Sequence, residues 1–397
     1  MHSYPSKRPL TRLYCLHQTS YFIAIAGIGA FAVSYLMDKG FAAAQIGLML
    51  AMTNILSCVL QPFIGSYVDR RSMSLLSGII FRFLCVALIS FITIELLHLP
   101  LWITGLLFIA GSLTFSITVP LSNSLCAYYS QNGYHIDYGM GSGIGSLAFS
   151  FASLLIGYMI AALGSSFMMR FCLVFIVAQM FFMRRYPRIE SAGQLAGKAD
   201  RASSLSLTAF CRRYYMFILT LMGVMCLAAC HAMAENYLIQ LFTRLGGGSE
   251  HVGIALFLAC TTATPFLLFF ERIQRRTGVS ILLRCTGLFY MAKAVLLILA
   301  PSIGSVYLIE LLQTCTYGFL YPPLYYFAGK CVSSADTAKG QTIASSLYTL
   351  GTALGNSLGG TVIDLISLNA MYALAALLAF AGMLLINLTI SKANAVH

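Results

Sequence analysis

Four ionisable side chains stand inside long apolar runs of the sequence, where a charge is costly. His231 and Glu235 are four residues apart, and Lys293 and Glu310 lie in two later runs. Four residues make about one helical turn, so His231 and Glu235 share a helix face. An ionisable group in hydrocarbon marks a functional site by default. A carboxyl group in an apolar cleft takes up a proton readily, and histidine titrates near neutral pH. We therefore predict proton-coupling roles for Glu235, His231 and Glu310.

Other roles are open for the same side chains. A Glu235 near the outer end of its helix would be solvated, and would pair with Arg244 or cap the helix. Separately, Glu310 and Lys293 would form a structural ion pair between adjacent helices.

A stripe of tyrosines occupies the tenth apolar run. Tyr317, Tyr321 and Tyr325 repeat every four residues, so their rings lie on one helix face. Such faces suit a partly apolar solute that carries hydroxyl groups or an aromatic ring, and packing is the alternative. The Pro322-Pro323 pair removes backbone hydrogen bonds and predicts a bend. With polar side chains of other runs, the predicted solute contacts are Asn54, Asn123, Asn236, Lys293, Gln313, Tyr317 and Tyr321.

The composition indicates the elements that position these residues. Of 397 residues, 59% are apolar and 9% charged, whereas soluble domains carry roughly 25% charged residues. A bilayer span needs about 20 mostly apolar residues. The sequence therefore predicts an all-α membrane protein with twelve transmembrane helices, over residues 13–36, 44–67, 74–94, 101–127, 139–163, 168–186, 212–242, 251–271, 280–299, 303–328, 341–366 and 370–390.

Several classes of function are disfavoured. The net charge of +12 comes from loops, without the basic, aromatic-interleaved face that nucleic-acid binding requires. The twelve cysteines are scattered singly, so we predict neither disulfides nor a metal site. No His-Glu-x-x-His pattern and no phosphate-binding Gly-x-x-x-x-Gly-Lys-Ser/Thr loop occur, so we expect no enzyme, no cofactor and no ATP hydrolysis.

Loop charges predict the orientation. The loops on the side of the amino terminus hold 18 Lys and Arg residues, and the opposite loops hold only Lys39 and Arg244. Because cytoplasmic loops are enriched in positive charge, we expect both termini in the cytoplasm and the chain in the cytoplasmic (inner) membrane.

The chain also divides into two related halves. The longest polar stretch predicts a cytoplasmic linker at 187–211 between six-helix bundles at 1–186 and 212–397. Gly47 and Gly253 open corresponding helices, and basic pairs begin 23 residues after Gly47 and 22 residues after Gly253. Duplicated halves are typical of transporters with a solute site near the membrane midplane. We interpret Asp69, Arg70 and Arg71 as a gating latch on the cytoplasmic side.

Residues 65–71, Gly-Ser-Tyr-Val-Asp-Arg-Arg, resemble the Gly-x-x-x-Asp-Arg/Lys loop of the major facilitator superfamily. Within it, the chain resembles the branch of lactose-permease-like oligosaccharide–proton symporters. The resemblance covers essentially the whole chain and implies the major facilitator fold. The segments that carry it are 45–51, 59–65, 137–146 and 312–320.

The resemblance does not extend to the branch's usual site residues. The arginine that grips sugar hydroxyls in relatives corresponds to Ser142, and the usual histidine of the tenth helix to Gln313. The acidic residue three positions further on is Thr316, and a basic residue is retained as Lys293. This argues against a lactose-like substrate.

The predicted function is that of a secondary active transporter, working as a monomer by alternating access. We expect proton-coupled uptake of a small organic solute. Proton-driven efflux of drugs or metabolites, or a transport-inactive membrane sensor, are the alternatives.

Overall fold

The computed structural model describes residues 8–70, 76–131, 134, 136–187, 207–333 and 336–394. All regular elements in these ranges are helical. The α-helices are α1 (Arg8–Ile25), α2 (Ala32–Asp38), α3 (Ala43–Arg70), α4 (Leu76–Leu96), α5 (Leu101–Gln131), α6 (Tyr138–Leu163), α7 (Ser165–Arg184), α8 (Leu207–Arg213), α9 (Tyr215–Asn236), α10 (Leu238–Arg244), α11 (Ser249–Leu268), α12 (Phe270–Thr277), α13 (Val279–Leu299), α14 (Ile303–Glu310), α15 (Phe319–Cys331), α16 (Thr337–Leu365) and α17 (Leu368–Asn394).

The prediction of an all-helical membrane protein is confirmed. Within the described residues, nine helices are long and apolar enough to span a bilayer, and a bent pair formed by α1 and α2 makes a tenth. Two further predicted spans do not meet these criteria of length and hydropathy. The predicted span 303–328 is divided into α14 and α15, and the helix at the predicted span 341–366, α16, is rich in Gly, Ser and Thr. The count of twelve stays a prediction.

The chain divides into two compact units. Unit 1 comprises Met1–Phe41, Ile55–Leu195 and Gly248–Phe257, and unit 2 comprises Ala42–Asn54, Ala196–Gly247 and Leu258–His397. The first part of α3 thus packs with α16 inside unit 2. The division at 187–211 stays a prediction, since most of that linker lies outside the described residues.

Small residues allow close helix packing inside unit 2. A Cβ atom at Gly355 of α16 would lie 2.3 Å from the carbonyl oxygen of Ala229 in α9, so only glycine fits there.

The same stretch, 355–359, has the Gly-x-Ser-x-Gly spacing of a hydrolase nucleophile turn. That turn requires a strand followed by a helix, whereas these residues lie inside the continuous α16.

The first span of each half is broken at an equivalent place. A π-helical turn at Ala26–Ala30 and Phe31 separate α1 from α2, which are inclined by 52°. Tyr237 separates α9 from α10. The two breaks are 206 residues apart, which is also the separation of Gly47 and Gly253. This common spacing supports a duplicated chain.

The Pro322-Pro323 pair does not interrupt its helix, and the bend predicted there stays a prediction. Both prolines lie inside α15, and the irregular segment precedes them, with a turn at 311–312 and a π-helical turn at Thr314–Gly318. Proline frees the carbonyl four residues earlier, which for Pro323 is that of Phe319. The Thr286 hydroxyl donates to this carbonyl at 3.0 Å. A side chain of α13 therefore satisfies the freed group, and the helix continues.

Candidate functional site

Lys293 is the centre of a buried charged cluster in unit 2. Its Nζ atom donates to Glu235 Oε1 at 2.5 Å, to Glu310 Oε2 at 2.8 Å and to Gln313 Oε1 at 3.0 Å. The side chains of Lys293 and Glu310 are 1% and 0% exposed, and that of Glu235 is 11% exposed. Three hydrogen bonds saturate the ammonium group, so the cation is fully satisfied. We name these four residues the Lys293 cluster.

Interrupted helices position the acceptors of this cluster. Glu235 lies in the last turn of α9, and Glu310 is the last residue of α14. Gln313 follows the turn at 311–312 and directly precedes the π-helical turn. Lys293 comes from the buried face of the continuous α13. Helix ends and π-helical turns redirect side chains, and they are frequent at functional sites.

The electrostatics of the cluster are unbalanced. With all three groups ionised it holds one positive and two negative charges, and therefore a net charge of −1. Glu310 Oε1 is buried and has no hydrogen-bond partner among the described residues. Binding of one proton neutralises the cluster. A buried net charge in an apolar region favours such uptake.

An aromatic stack adjoins Glu235 through His231. The His231 ring lies over that of Tyr317, with centroids 5.5 Å apart, and Tyr317 stacks on Tyr321 at 5.2 Å. The edges of Tyr325 and Tyr348 meet Tyr321 at 5.3 Å each. We name these five residues the aromatic stack. All are half-buried, so the stack is packed without being sealed inside the core.

Residues 14–374 match the family described as "MFS_1 like family". The chain belongs to this family. It is a multi-pass membrane protein with the major facilitator fold.

Curated relatives of this family member are transporters. It is 23% identical over 394 residues to the "Uncharacterized transporter YwbF" of Bacillus subtilis (strain 168), covering 94% of this chain and 92% of the relative. It is 25% identical over 347 residues to the "Maltose permease" of Geobacillus stearothermophilus, covering 85% and 82% respectively.

Solved structures of major facilitator transporters share the fold. A single-substitution mutant of the nucleoside transporter NupG has a TM-score of 0.77 and 16% identity, with 96% of this chain and 99% of NupG covered. A D-xylose–proton symporter has a TM-score of 0.66 and 14% identity, with 95% and 96% covered.

Two predicted solute residues lie in unit 2 but bond to α16 and not to the Lys293 cluster. Asn236 Nδ2 donates to Asn356 Oδ1 at 2.6 Å, and Asn54 Nδ2 donates to Thr352 Oγ1 at 3.2 Å. Asn123 belongs to α5 of unit 1, where it is half-buried.

The predicted gating residues cannot be compared with the structure. Asp69 and Arg70 belong to the last turn of α3, but their side chains are outside the described part, as is the whole of Arg71. The alternative pairing of Glu235 with Arg244 differs from the structure. Arg244 donates to Asn369 Oδ1 at 2.5 Å, and Glu235 accepts from Lys293.

Sequence reasoning missed a second buried carboxylate, Glu95 of unit 1. Lys39 Nζ lies 3.0 Å from Glu95 Oε1 and the Arg170 Nε atom 3.7 Å from Oε2, while the Tyr35 hydroxyl donates to Oε1 at 2.7 Å. Glu95 is 4% exposed. The predicted span ended at residue 94, whereas α4 runs to Leu96. An acidic residue in the last turn of an apolar helix was the available signal.

Proposed function

We propose that the protein is a proton-coupled secondary transporter that takes up a small neutral solute by alternating access. The Lys293 cluster is the proton site, and the aromatic stack forms part of the solute site. The chain lies in the cytoplasmic membrane and works as a monomer. Both of its termini lie in the cytoplasm, as the loop charges predict.

The observation that carries the proton site is the ratio of two carboxylates to one lysine. Glu235 is the more exposed carboxylate, so it is the one that exchanges protons with water. Glu310 is fully buried and stays bonded to Lys293. When Glu235 takes up a proton, its bond to Lys293 weakens, and the cluster has a different charge in the two states. A conformational equilibrium shifts only when a ligand favours one state, and the proton is that ligand here.

The charges of the Lys293 cluster also favour a solute that is neutral. All three donors of Lys293 are engaged, so an anionic solute would meet the net negative charge of the Lys293 cluster and no available cation within it. The phenol faces of the aromatic stack suit an aromatic ring or the apolar face of a sugar. The D-xylose–proton symporter supports coupling to protons, the maltose permease supports a sugar as solute, and the nucleoside transporter supports a solute with a planar ring.

The test uses purified protein in proteoliposomes. A thermal-shift screen against sugars, glycosides and nucleosides across a range of pH first identifies a stabilising solute. Glu235→Gln then abolishes accumulation driven by a pH gradient but retains counterflow exchange, because the neutral amide cannot cycle its charge. Glu250→Gln is the matched control, since Glu250 lies in the first turn of α11 and accepts from the backbone of Gly248.

Undiminished accumulation by the Glu235→Gln variant would refute the proton site. A solute that stabilises the protein without any flux would instead identify a transport-inactive sensor.

A further inference from the structure

A groove in unit 1 opens between the second part of α3 and the first part of α4. Its volume is about 510 Å³. Phe63 and Val86 are 70% and 45% exposed, so the groove opens at the surface of the unit. The lining residues are Phe63, Ile64, Ile79, Arg82, Phe83 and Val86.

The surface around the groove is suited to lipid. The exposed stripe of α4 consists of Gly78, Arg82, Val86 and Ile89. The helix as a whole is apolar enough to span a membrane. Arg82 is the only charged residue on that stripe. It lies about 9 Å from the start of α4, at a rise of 1.5 Å per residue. A guanidinium at this depth requires an anionic partner or must extend towards the headgroups.

Among the side chains that the structure describes, no carboxylate pairs with Arg82. Arg284 lies at a similar depth of α13 in the other half, and its guanidinium donates to the Ser391 hydroxyl of α17. The two arginines therefore differ in their surroundings: Arg284 is bonded to a neighbouring helix, and Arg82 projects into an apolar groove.

We propose that this groove binds one anionic glycerophospholipid. An acyl chain lies along the apolar walls, and the phosphate accepts hydrogen bonds from Arg82, whose planar fork matches phosphate oxygens. Basic pockets between transmembrane helices recognise anionic headgroups by this chemistry. The apolar walls favour lipid over a free anion, because inorganic phosphate would bring no group to cover them.

The test measures lipid binding to the delipidated full-length protein in detergent by native mass spectrometry. Phosphatidylglycerol and phosphatidylcholine with identical acyl chains are compared. We expect one preferentially retained phosphatidylglycerol. Arg82→Gln weakens its binding about fivefold, as expected for one lost basic contact to an anionic lipid, and leaves phosphatidylcholine unchanged. Arg82→Lys retains most of the preference.

Two further variants separate the headgroup from the groove. Val86→Trp fills the groove and weakens both lipids, with a melting temperature that confirms folding. Arg284→Gln is the matched control and binds both lipids as the unmodified protein does.

Three results would overturn the proposal. The first is equal phosphatidylglycerol binding by Arg82→Gln and the unmodified protein. The second is complete competition by glycerol 3-phosphate at the lipid's own concentration, which would show that no acyl chain contributes. The third is a protein dimer that Val86→Trp disrupts, which would assign the groove to a second copy of the chain.

Discussion

Glu235 and Glu310 approach the same nitrogen atom, Lys293 Nζ, at 2.5 and 2.8 Å. Each carboxylate is therefore stabilised by a cation that it shares with a competitor of equal charge. The strength of one ion pair depends on the protonation of the other carboxylate. This dependence makes the arrangement suitable for coupling proton binding to a conformational change.

The shared cation gives a first prediction. Lys293→Met leaves two buried carboxylates without a counter-charge, which destabilises a protein by about 3 kcal/mol or more. We expect a lower melting temperature for Lys293→Met, and a partial recovery for the double variant Lys293→Met/Glu310→Gln, which removes one of the two negative charges. Melting curves of the purified variants in one detergent measure both effects. A double variant that melts no higher than Lys293→Met would contradict the charge argument.

The aromatic stack gives a second prediction. Tyr321 touches the rings of Tyr317, Tyr325 and Tyr348. A ring contact is worth roughly 0.5–1.5 kcal/mol, so Tyr321→Ala raises the KM of a transported solute about two- to tenfold, whereas Tyr321→Phe has a smaller effect. Transport assays over a range of solute concentrations measure KM.

Tyr326 provides the control for this series. Its ring is 40% exposed and packs on Phe270, outside the aromatic stack. Tyr326→Ala leaves KM unchanged. An equal effect of the Tyr326 and Tyr321 substitutions would mean that the tyrosines act through packing of α15 and not through solute contact.

The freed carbonyl of α15 gives a third prediction. Thr286→Val removes the donor to the Phe319 carbonyl, which costs on the order of 1 kcal/mol. Pro323→Ala supplies a backbone N–H to the same carbonyl, so the destabilisation caused by Thr286→Val becomes smaller in that background. A double-mutant cycle on melting temperatures measures this coupling. Additive effects of the two substitutions would show that Thr286 does not compensate for Pro323.

The sequence was sufficient for some of these features and insufficient for others. Apolar runs predicted the helices and the membrane class, because the bilayer imposes span length directly. Glu235, Lys293 and Glu310 were each singled out as intramembrane charges. Their meeting point depends on the rotation of α9, α13 and α14 about their axes, and residue spacing along one helix does not determine it. The Lys293 cluster was therefore only partly predictable.

Two features were not predicted, for local physical reasons. Glu95 was missed because the predicted span ended one residue too early, and helix ends are hard to place from hydropathy alone. The Pro322-Pro323 pair leaves α15 uninterrupted, which the local sequence does not reveal because the compensating donor, Thr286, is 33 residues from Phe319 in sequence. A tertiary hydrogen bond satisfies the freed carbonyl.

Glu95 gives a fourth prediction, on how the two buried acidic clusters differ. In unit 1 two cations, Lys39 and Arg170, face one carboxylate, so the cluster carries a net positive charge. We expect Glu95→Gln to lower the melting temperature, since the bonds of Tyr35 and Lys39 to the carboxylate are weakened. It leaves the number of protons moved per solute unchanged.

Melting curves and solute-driven proton uptake in proteoliposomes measure these two properties of the Glu95→Gln variant. Glu235→Gln provides the contrast, because the same chemical change in the Lys293 cluster removes the proton-accepting group. If Glu95→Gln altered the proton-to-solute ratio, a coupling role would extend to unit 1. If only Glu235→Gln altered that ratio, the sign of the local net charge would distinguish the coupling cluster from the structural one.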